Sequence, residues 1–180
     1  MIKMKISYIK VGFLKCNCYL LEKDNECLII DPGDDYDQIK NKFGKKNIIG
    51  ILLTHSHFDH VASVDNLVND NNIEVYSLNN LKEGKNNIGK FHFEVIYTFG
   101  HSMDSITYYF YEDKVIFTGD FLFRDTIGRC DLLESNYNEM KKSIQKIKKY
   151  DDNIIVYPGH GMSSILGYEK KNNPYFNDID

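Results

Sequence analysis

The sequence predicts an α/β fold, and three features of the chain carry this prediction. Short apolar runs of strand length recur along the 180 residues, and no long Pro, Gly or Ser linker and no repeat separates them. Four of these runs lead into a small or turn residue and then into His or Asp. One later segment instead has apolar residues at helical spacing. Because 180 residues leave room for one domain, we expect residues 1–180 to form a single domain.

The first part of the chain predicts three strands. Residues 2–8 alternate apolar and polar side chains, which is the period of a half-buried strand. Residues 13–21 and 27–30 predict the second and third strands, and the sequence Asp31-Pro32-Gly33 ends the third. The polar tract 79–87 is expected to be a loop.

The four runs that lead to His or Asp predict strands whose ends build a site. They are residues 48–53, leading to His55; residues 91–99, leading to His101; residues 115–118, leading to Asp120; and residues 154–157, leading to His160. Open sheets place their sites at strand ends, where side chains are held more rigidly than on free loops. His92 lies inside the second run and is expected to be a strand residue outside the site.

One amphipathic helix is predicted to follow Ser135 or Asn136, either of which could cap it. Apolar side chains at positions 137, 140, 144 and 147 share one face of this helix. We therefore expect the helix to pack on a sheet.

The densest cluster of candidate ligands is the segment Thr-His-Ser-His-Phe-Asp-His at residues 54–60. Because alternate residues of an extended segment point the same way, His55, His57 and Asp59 can face one side while His60 turns to another. Imidazoles and carboxylates suit zinc, and also iron or manganese. None of the 4 cysteines lies in this cluster, whereas structural zinc sites usually recruit thiolates. The cluster and the strand ends together predict a metal centre that two ions could share.

Composition excludes several classes of partner. With 22 basic and 26 acidic residues, the net charge of -4 gives no reason to expect a nucleic-acid or membrane partner. No apolar stretch approaches the roughly 18 residues of a membrane span, and the N-terminus lacks the apolar core of a signal peptide. We expect a cytoplasmic protein with reduced cysteines and a small-molecule substrate, and the oligomeric state stays open.

Short motifs follow one another along nearly the whole chain: Asn17-Cys18-Tyr19, Ile30-Asp31-Pro32-Gly33, residues 54–60, Gly100-His101, Thr118-Gly119-Asp120, Gly128-Arg129, Tyr157-Pro158-Gly159-His160-Gly161 and a tail at residues 165–175. With these motifs in this order, the sequence resembles the metallo-β-lactamase fold superfamily and, within it, the short glyoxalase II-like hydrolases. The resemblance implies a four-layer αβ/βα sandwich with two central sheets and helices outside.

The resemblance also implies ligands for two divalent metal ions, with zinc expected and iron or manganese as alternatives. His55, His57 and His101 would hold the first ion, Asp59, His60 and His160 the second, and Asp120 would bridge the two. The β-lactamases proper typically lack the histidine after the aspartate and use a cysteine ligand. His60 and Asp120 therefore argue against β-lactamase activity.

The activity that the resemblance implies is hydrolysis of a small thioester or a related acyl compound. Two ions about 3.5 to 4 Å apart lower the pKa of a shared water, and the resulting bridging hydroxide would attack the acyl carbonyl. Asp59 would be the catalytic residue that orients the hydroxide and moves its proton. A thiolate leaving group, with a pKa of about 8.5, departs without a strong general acid.

Arg129 is the candidate substrate-binding residue. In glyoxalase II a lysine occupies this position and a tyrosine comes two residues later, and both contact glutathione. Here Arg129 and Asp131 stand instead, so Arg129 could bind a substrate carboxylate or pair internally with Asp131. Typical glyoxalase II also has a C-terminal helical domain that grips glutathione. We expect this chain to lack it, and so to have a more open site and a different acyl preference.

A second reaction class stays open at this point. Persulfide dioxygenases of the same superfamily bind one iron with the equivalents of His55, His101 and Asp120, and all three residues are present. A metal-binding protein without turnover is the third hypothesis. Nuclease activity gains no support from the acidic charge balance.

Overall fold

Two β-sheets lie face to face at the centre of the computed structural model, which describes residues 3–43 and 46–177. The first sheet contains β1 (Lys5–Val11), β2 (Cys16–Lys23), β3 (Glu26–Ile30), β4 (Ile48–Leu52) and β5 (Glu74–Tyr76), in that order. Strands β1 to β3 pair antiparallel, and β4 and β5 continue the sheet in parallel.

The second sheet is built from the later part of the chain. Its strands are β6 (Gly84–Ile88), β7 (Phe91–Tyr97), β8 (Ile106–Phe110), β9 (Val115–Gly119), β12 (Ile155–Pro158) and β13 (Ser164–Ile165). They lie in the order β13-β12-β9-β8-β7-β6, and β12 runs parallel to β9. A short hairpin of β10 (Leu122–Phe123) and β11 (Thr126–Ile127) follows β9.

Helices cover the outer face of each sheet. They are α1 (Tyr36–Phe43), α2 (Phe58–Val61), α3 (Val64–Asn71), α4 (Tyr137–Ile147) and α5 (Leu166–Asn172), with a 3₁₀ turn at Pro174–Phe176. Apolar residues of α1 and α3 pack on the first sheet, and those of α4 and α5 pack on the second. Within the described residues, no helix is long and apolar enough to cross a membrane.

The alternation of side chains along the central strands explains the layering. In β2, Tyr19 and Leu21 pack between the two sheets, while Leu20 packs under the helices. In β3, Leu28 and Ile29 divide in the same way. Because both faces of these strands are covered, they appear in the sequence as continuous apolar runs. The predicted four-layer αβ/βα sandwich is confirmed.

Two sequence predictions about the bounds of strands and loops are wrong. The second strand does not begin at residue 13, because Gly12 (φ +68°) and Lys15 (φ +59°) form a turn that leaves Phe13 exposed. The tract 79–87 is not all loop, because β6 pairs with β7 as the edge of the second sheet. Residue 2 of the predicted first strand lies outside the described residues, and the single domain for residues 1–180 stays a prediction.

The predicted helix is α4, and the strand ends meet as expected. The Asn136 side chain caps α4 by accepting hydrogen bonds from the backbone of Asn138 and Glu139. Tyr137 is 42% exposed, so it does not share the buried face. Because β7, β9 and β12 run in the same direction, their carboxyl ends lie at one edge of the second sheet. The loop after β4 reaches this edge from the first sheet, since the Thr54 carbonyl accepts a hydrogen bond from the Ile106 amide.

Candidate metal centre

The loop between β4 and α2 delivers the densest group of polar side chains. His55 and His57 precede α2, whereas Asp59 and His60 lie in its first turn. The start of a helix changes the direction of the chain, so the last two side chains leave it at a different angle from the first two. The loop therefore contributes to two adjacent groups of ligands.

The first group, called the first trio here, consists of His55, His57 and His101. One ring nitrogen from each lies within 4.8 Å of the others. His57 Nδ1 is 3.0 Å from His101 Nε2. His55 is 3% exposed, and its Nε2 atom has no hydrogen-bond partner.

The second trio consists of Asp59, His60 and His160. Asp59 Oδ2 lies 3.1 Å from His160 Nε2 and 3.7 Å from His60 Nε2. The two histidine Nε2 atoms are 3.3 Å apart. Three potential ligand atoms thus converge beside the first trio.

Asp120 lies between the two trios, at the end of β9. Its Oδ1 atom is 3.3 Å from His60 Nε2 and 3.6 Å from His160 Nε2, and its Oδ2 atom is 3.7 Å from His101 Nε2. The close approach needs Gly159 at the end of β12, because a Cβ there would lie 2.4 Å from Asp120 Oδ1. One carboxylate therefore faces both groups of ligands.

Backbone carbonyls fix the tautomer of two of the histidines. His101 Nδ1 lies 2.9 Å from the Arg129 carbonyl, and His160 Nδ1 lies 3.0 Å from the Leu14 carbonyl. A carbonyl can only accept a hydrogen bond, so each Nδ1 carries the proton. The Nε2 lone pairs of both rings consequently face the centre.

Asp31 and Thr54 fix the rings of His55 and His60 in a buried network. Asp31 Oδ2 lies 3.0 Å from His60 Nδ1 and accepts a hydrogen bond from the Thr54 hydroxyl at 2.6 Å. Since that hydroxyl donates to Asp31, its oxygen can accept from His55 Nδ1, which is 3.1 Å away. Asp31 Oδ1 also accepts from the Thr54 amide at 2.8 Å. Both histidines are therefore oriented with Nε2 toward the centre.

Glu134 supports His57 from the surface. Its Oε1 atom lies 2.8 Å from His57 Nε2, and its side chain is 43% exposed. The carboxylate accepts a hydrogen bond from the Nε2–H group, so this ring presents Nδ1 to the first trio rather than Nε2.

Burial and the carboxylates shift the pKa values of these groups in opposite directions. Burial lowers the pKa of His55 and of His101. Burial alone would also lower the pKa of His60, but the Asp31 and Asp120 carboxylates outweigh it and raise that pKa. Burial alone would raise the pKa of Asp120, yet His60 and His55 hold it well below its ordinary value.

The donor set fits divalent metal ions. All five rings are bonded to oxygen through one nitrogen, which leaves five lone pairs directed at the centre. The two lone pairs of His57 and His101, at 3.0 Å, repel unless a cation lies between them. The unpartnered Nε2 of buried His55 has the same requirement. Nitrogen and carboxylate ligands suit zinc, iron and manganese.

The centre opens into a cleft of about 480 Å³, called the metal cleft here. Leu14, Phe123 and Leu132 form its apolar wall, and Arg129 lies at its side. The Arg129 guanidinium donates to both carboxylate oxygens of Asp131, at 2.6 and 2.9 Å. The structure thus contains the internal pair, and substrate contact by Arg129 stays a prediction.

A model of the family described as the metallo-beta-lactamase superfamily matches residues 11–86 and 79–160, most of the chain. The chain belongs to this superfamily. Two similar relatives are "Probable metallo-hydrolase YqgX" of Bacillus subtilis and "Hydroxyacylglutathione hydrolase GloC" of Haemophilus influenzae. The first is 32% identical over 97% of this chain and 98% of its own. The second is 30% identical over 97% of this chain and 99% of its own.

Two solved structures are also similar to this superfamily member. The structure of BLEG-1 B3 metallo-beta-lactamase has a TM-score of 0.89 and 31% identity, and the match covers 96% of this chain and 99% of that one. The structure of TTHA1623 in a di-iron-bound form has a TM-score of 0.86 and 30% identity, with 94% and 99% covered.

All seven predicted metal ligands of this metallo-beta-lactamase superfamily member lie together, and their roles as ligands stay predictions. His92 is an exposed residue of β7, outside the centre as predicted. Four supports were not predicted: the side chains of Thr54 and Glu134 and the backbone carbonyls of Arg129 and Leu14. Asn17 and Tyr19 belong to the first of the sequence motifs. Both donate hydrogen bonds to the Pro158 carbonyl, at 3.0 and 2.6 Å, and so hold the loop that carries His160.

Proposed function

We propose that this chain is a metal-dependent hydrolase that cleaves a small thioester at a two-metal centre. The observation that carries the proposal is Asp120, whose two carboxylate oxygens face the two trios separately. A single metal ion at the first trio would use only Oδ2 and would leave Oδ1 facing the second trio without a metal. The full-length similarity to a relative described as a hydroxyacylglutathione hydrolase supports the thioester as the substrate.

Divalent ions in this centre would lower the pKa of a water molecule toward 7 and polarise the substrate carbonyl. Asp59 faces the cleft, and its hydrogen bond to His160 lowers its pKa, so it stays a carboxylate that can take a proton from water. The water oxygen bonds to the acyl carbon, the carbon–sulfur bond breaks, and a carboxylate and a thiol leave. Among the described residues lining the metal cleft there is no Tyr, Lys or Cys to protonate a leaving group, which suits a thiolate.

We propose zinc as the resident metal, with iron or manganese as alternatives, and the di-iron form of TTHA1623 gives iron particular weight. The proposal includes a cytoplasmic location, since all four cysteines are unpaired thiols, as is usual in a reducing compartment. It includes no nucleic-acid or membrane partner, in keeping with the net charge of -4.

A mono-iron persulfide dioxygenase is the second candidate. The three residues assigned to its iron lie together: the His55 and His101 rings are 5.2 Å apart, and His101 Nε2 is 3.7 Å from Asp120 Oδ2. This candidate leaves the second trio without a role, and we therefore place it behind the hydrolase.

The deciding experiment combines metal analysis with a substrate panel, on protein purified without added metal. The panel contains glutathione and N-acetylcysteamine thioesters, a β-lactam, and glutathione persulfide with an oxygen electrode. We expect close to two ions per chain and thioester hydrolysis. Asp59→Asn should lower kcat by at least about 100-fold, whereas the exposed control His92→Asn should leave it unchanged.

Other outcomes assign the chain differently. One iron per chain with oxygen uptake on the persulfide would establish the dioxygenase. Turnover of the β-lactam alone would contradict the prediction drawn from His60 and Asp120. Loss of activity in His92→Asn to the same extent as in Asp59→Asn would show that the site has been misplaced.

A further inference from the structure

A second cleft of about 410 Å³ lies beside the metal cleft, at the beginning of α4, and is called the α4 cleft here. The two clefts share a wall. Leu132 lines the metal cleft, and the next two residues, Leu133 and Glu134, line the α4 cleft. Glu134 is bonded to His57 of the first trio, and the Ser135 hydroxyl donates to the His101 carbonyl at 2.7 Å. A molecule that reacts at the metal centre can therefore extend over this wall.

Two large apolar side chains on the rim of the α4 cleft are exposed to an unusual degree. Met103 is 74% exposed and Leu133 fully exposed, at 103%. Phe99 lines the cleft below them. Exposed apolar side chains grouped around a concave surface mark a binding site more often than single exposed ones do. Their cost in water is recovered when an apolar group covers them.

The charges around the α4 cleft disfavour an anion. Its described lining contains no Lys, Arg or His, but it does contain the carboxylates Glu134 and Glu139. The positive end of α4 does not compensate, because the Asn136 side chain already accepts from the Asn138 and Glu139 amides. Glu139, which pairs with Lys142 at 2.6 Å, lies in the first turn of the helix, where its negative charge offsets the positive end of the helix dipole.

We propose that the α4 cleft is the acyl subsite of this enzyme and that it takes an uncharged, apolar acyl chain. The inference rests on the proposed hydrolase function and names its substrate class. Arg129 lines the metal cleft and not the α4 cleft. The more polar thiol portion of a thioester therefore fits beside Arg129, and the acyl chain lies across the shared wall against Met103 and Leu133.

The first test compares N-acetylcysteamine thioesters that differ only in the acyl group. Acetyl, propionyl, butyryl and pentanoyl thioesters measure chain length, and succinyl supplies a carboxylate at a length close to that of pentanoyl. We expect kcat/KM to rise by about fourfold for each methylene that the cleft buries. Succinyl should react at least about tenfold more slowly than pentanoyl, because its carboxylate meets Glu134 and Glu139.

A positive charge introduced on the rim should weaken this preference for an uncharged acyl chain. In Leu133→Lys the ammonium group can pair with the succinyl carboxylate, and the succinyl-to-pentanoyl ratio of kcat/KM should rise by about fivefold. The matched control is Ile165→Lys, at a half-exposed apolar position of β13 that lines a different cleft, and it should leave the ratio unchanged. Both positions are exposed, so neither substitution removes a core contact.

Binding of an acyl chain in the α4 cleft can also be measured without turnover. In zinc-loaded protein labelled with ¹³C at the methionine methyl groups, the ketone analogue of the pentanoyl thioester should shift the Met103 signal and not that of Met4, which is buried between the sheets. Equal rates for all five thioesters with no Met103 shift would overturn the acyl subsite while leaving the hydrolase standing. Absence of any thioester turnover, with no bound metal, would overturn both.

Discussion

His57 and His60 lie three residues apart in one loop, yet the protein holds their rings in opposite ways. His60 is fully buried and is bonded to Asp31, a carboxylate that is 1% exposed. His57 is bonded to Glu134, whose side chain is 43% exposed. His60 of the second trio is thus supported from the core, and His57 of the first trio is supported from the surface. Loss of the buried support should disturb fold and site together, and loss of the surface support should disturb the site alone.

The largest expected effect is that of Asp31→Asn. Asn accepts on one side only, so either the Thr54 amide or both His60 and the Thr54 hydroxyl lose their acceptor, in a place that water does not reach. We expect the free energy of unfolding in urea to fall by about 3 kcal/mol. In metal titrations, affinity at the second trio should fall by about 10- to 100-fold.

Asn suits this position as a test because Asp31 has a φ of +50°, a conformation that Asn tolerates well. The control is Asp34→Asn, an exposed carboxylate in the same turn, which should change the stability by less than about 0.5 kcal/mol. If Asp31→Asn unfolds like the unmodified protein and keeps both ions, the buried network does not support the second trio.

Glu134→Ala should separate the site from the fold. The side chain is exposed and contacts the centre only through His57, so the unfolding free energy should change by less than about 0.5 kcal/mol. Affinity for one of the two ions should fall by about tenfold, because His57 loses the acceptor that fixes its tautomer.

The matched control for this variant is Glu139→Ala, which removes a carboxylate from the same cleft without touching a histidine. Zinc competition with a chromophoric chelator, followed for both variants, gives the two affinities. An equal loss of affinity in the control would mean that the general negative charge matters, and that the Glu134 hydrogen bond to His57 does not.

The sequence predicts the buried part of this protein better than its surface. Strands β2, β3, β4 and β9 are covered on both faces or nearly so, and apolar runs mark them. Helix α1 has only Ile39 and Phe43 buried in eight residues, too short a pattern to stand out. Strand β6 reads Gly-Lys-Asn-Asn-Ile and is a strand only because β7 pairs with it.

The same contrast holds within the metal centre. The candidate ligands are His and Asp at strand ends, so their chemistry and position are visible in the sequence. Their supports are less visible. Glu134 lies 77 residues from His57, and the carbonyl that orients His160 belongs to Leu14, 146 residues away. A backbone carbonyl has no sequence signature, and only the folded chain shows which one is used.

The smallest predicted effect is a difference in pKa between two pairs of histidines, one pair from each trio, in protein freed of metal by a chelator. Burial lowers the pKa of His55 and His101 below the usual 6.5. Burial would also lower the pKa of His160, but its hydrogen bond to Asp59 outweighs this and raises it, as Asp31 and Asp120 do for His60. Histidine ring signals in NMR should therefore show His60 and His160 charged at a pH where His55 and His101 are neutral.

These pKa shifts make the stability of the metal-free protein depend on pH in two opposite ways. For His55 and His101 the unfolded chain binds protons more readily than the folded one, so their contribution to stability falls as the pH drops through and below 6.5. The contribution of His60 and His160 is complete below 6.5 and is lost as the pH rises through their folded pKa values. Asp31→Asn should lower the pKa of His60 and leave the pKa of His101 unchanged. Titration of all four rings at one common pH would contradict this separation of His60 and His160, which carboxylates hold, from His55 and His101.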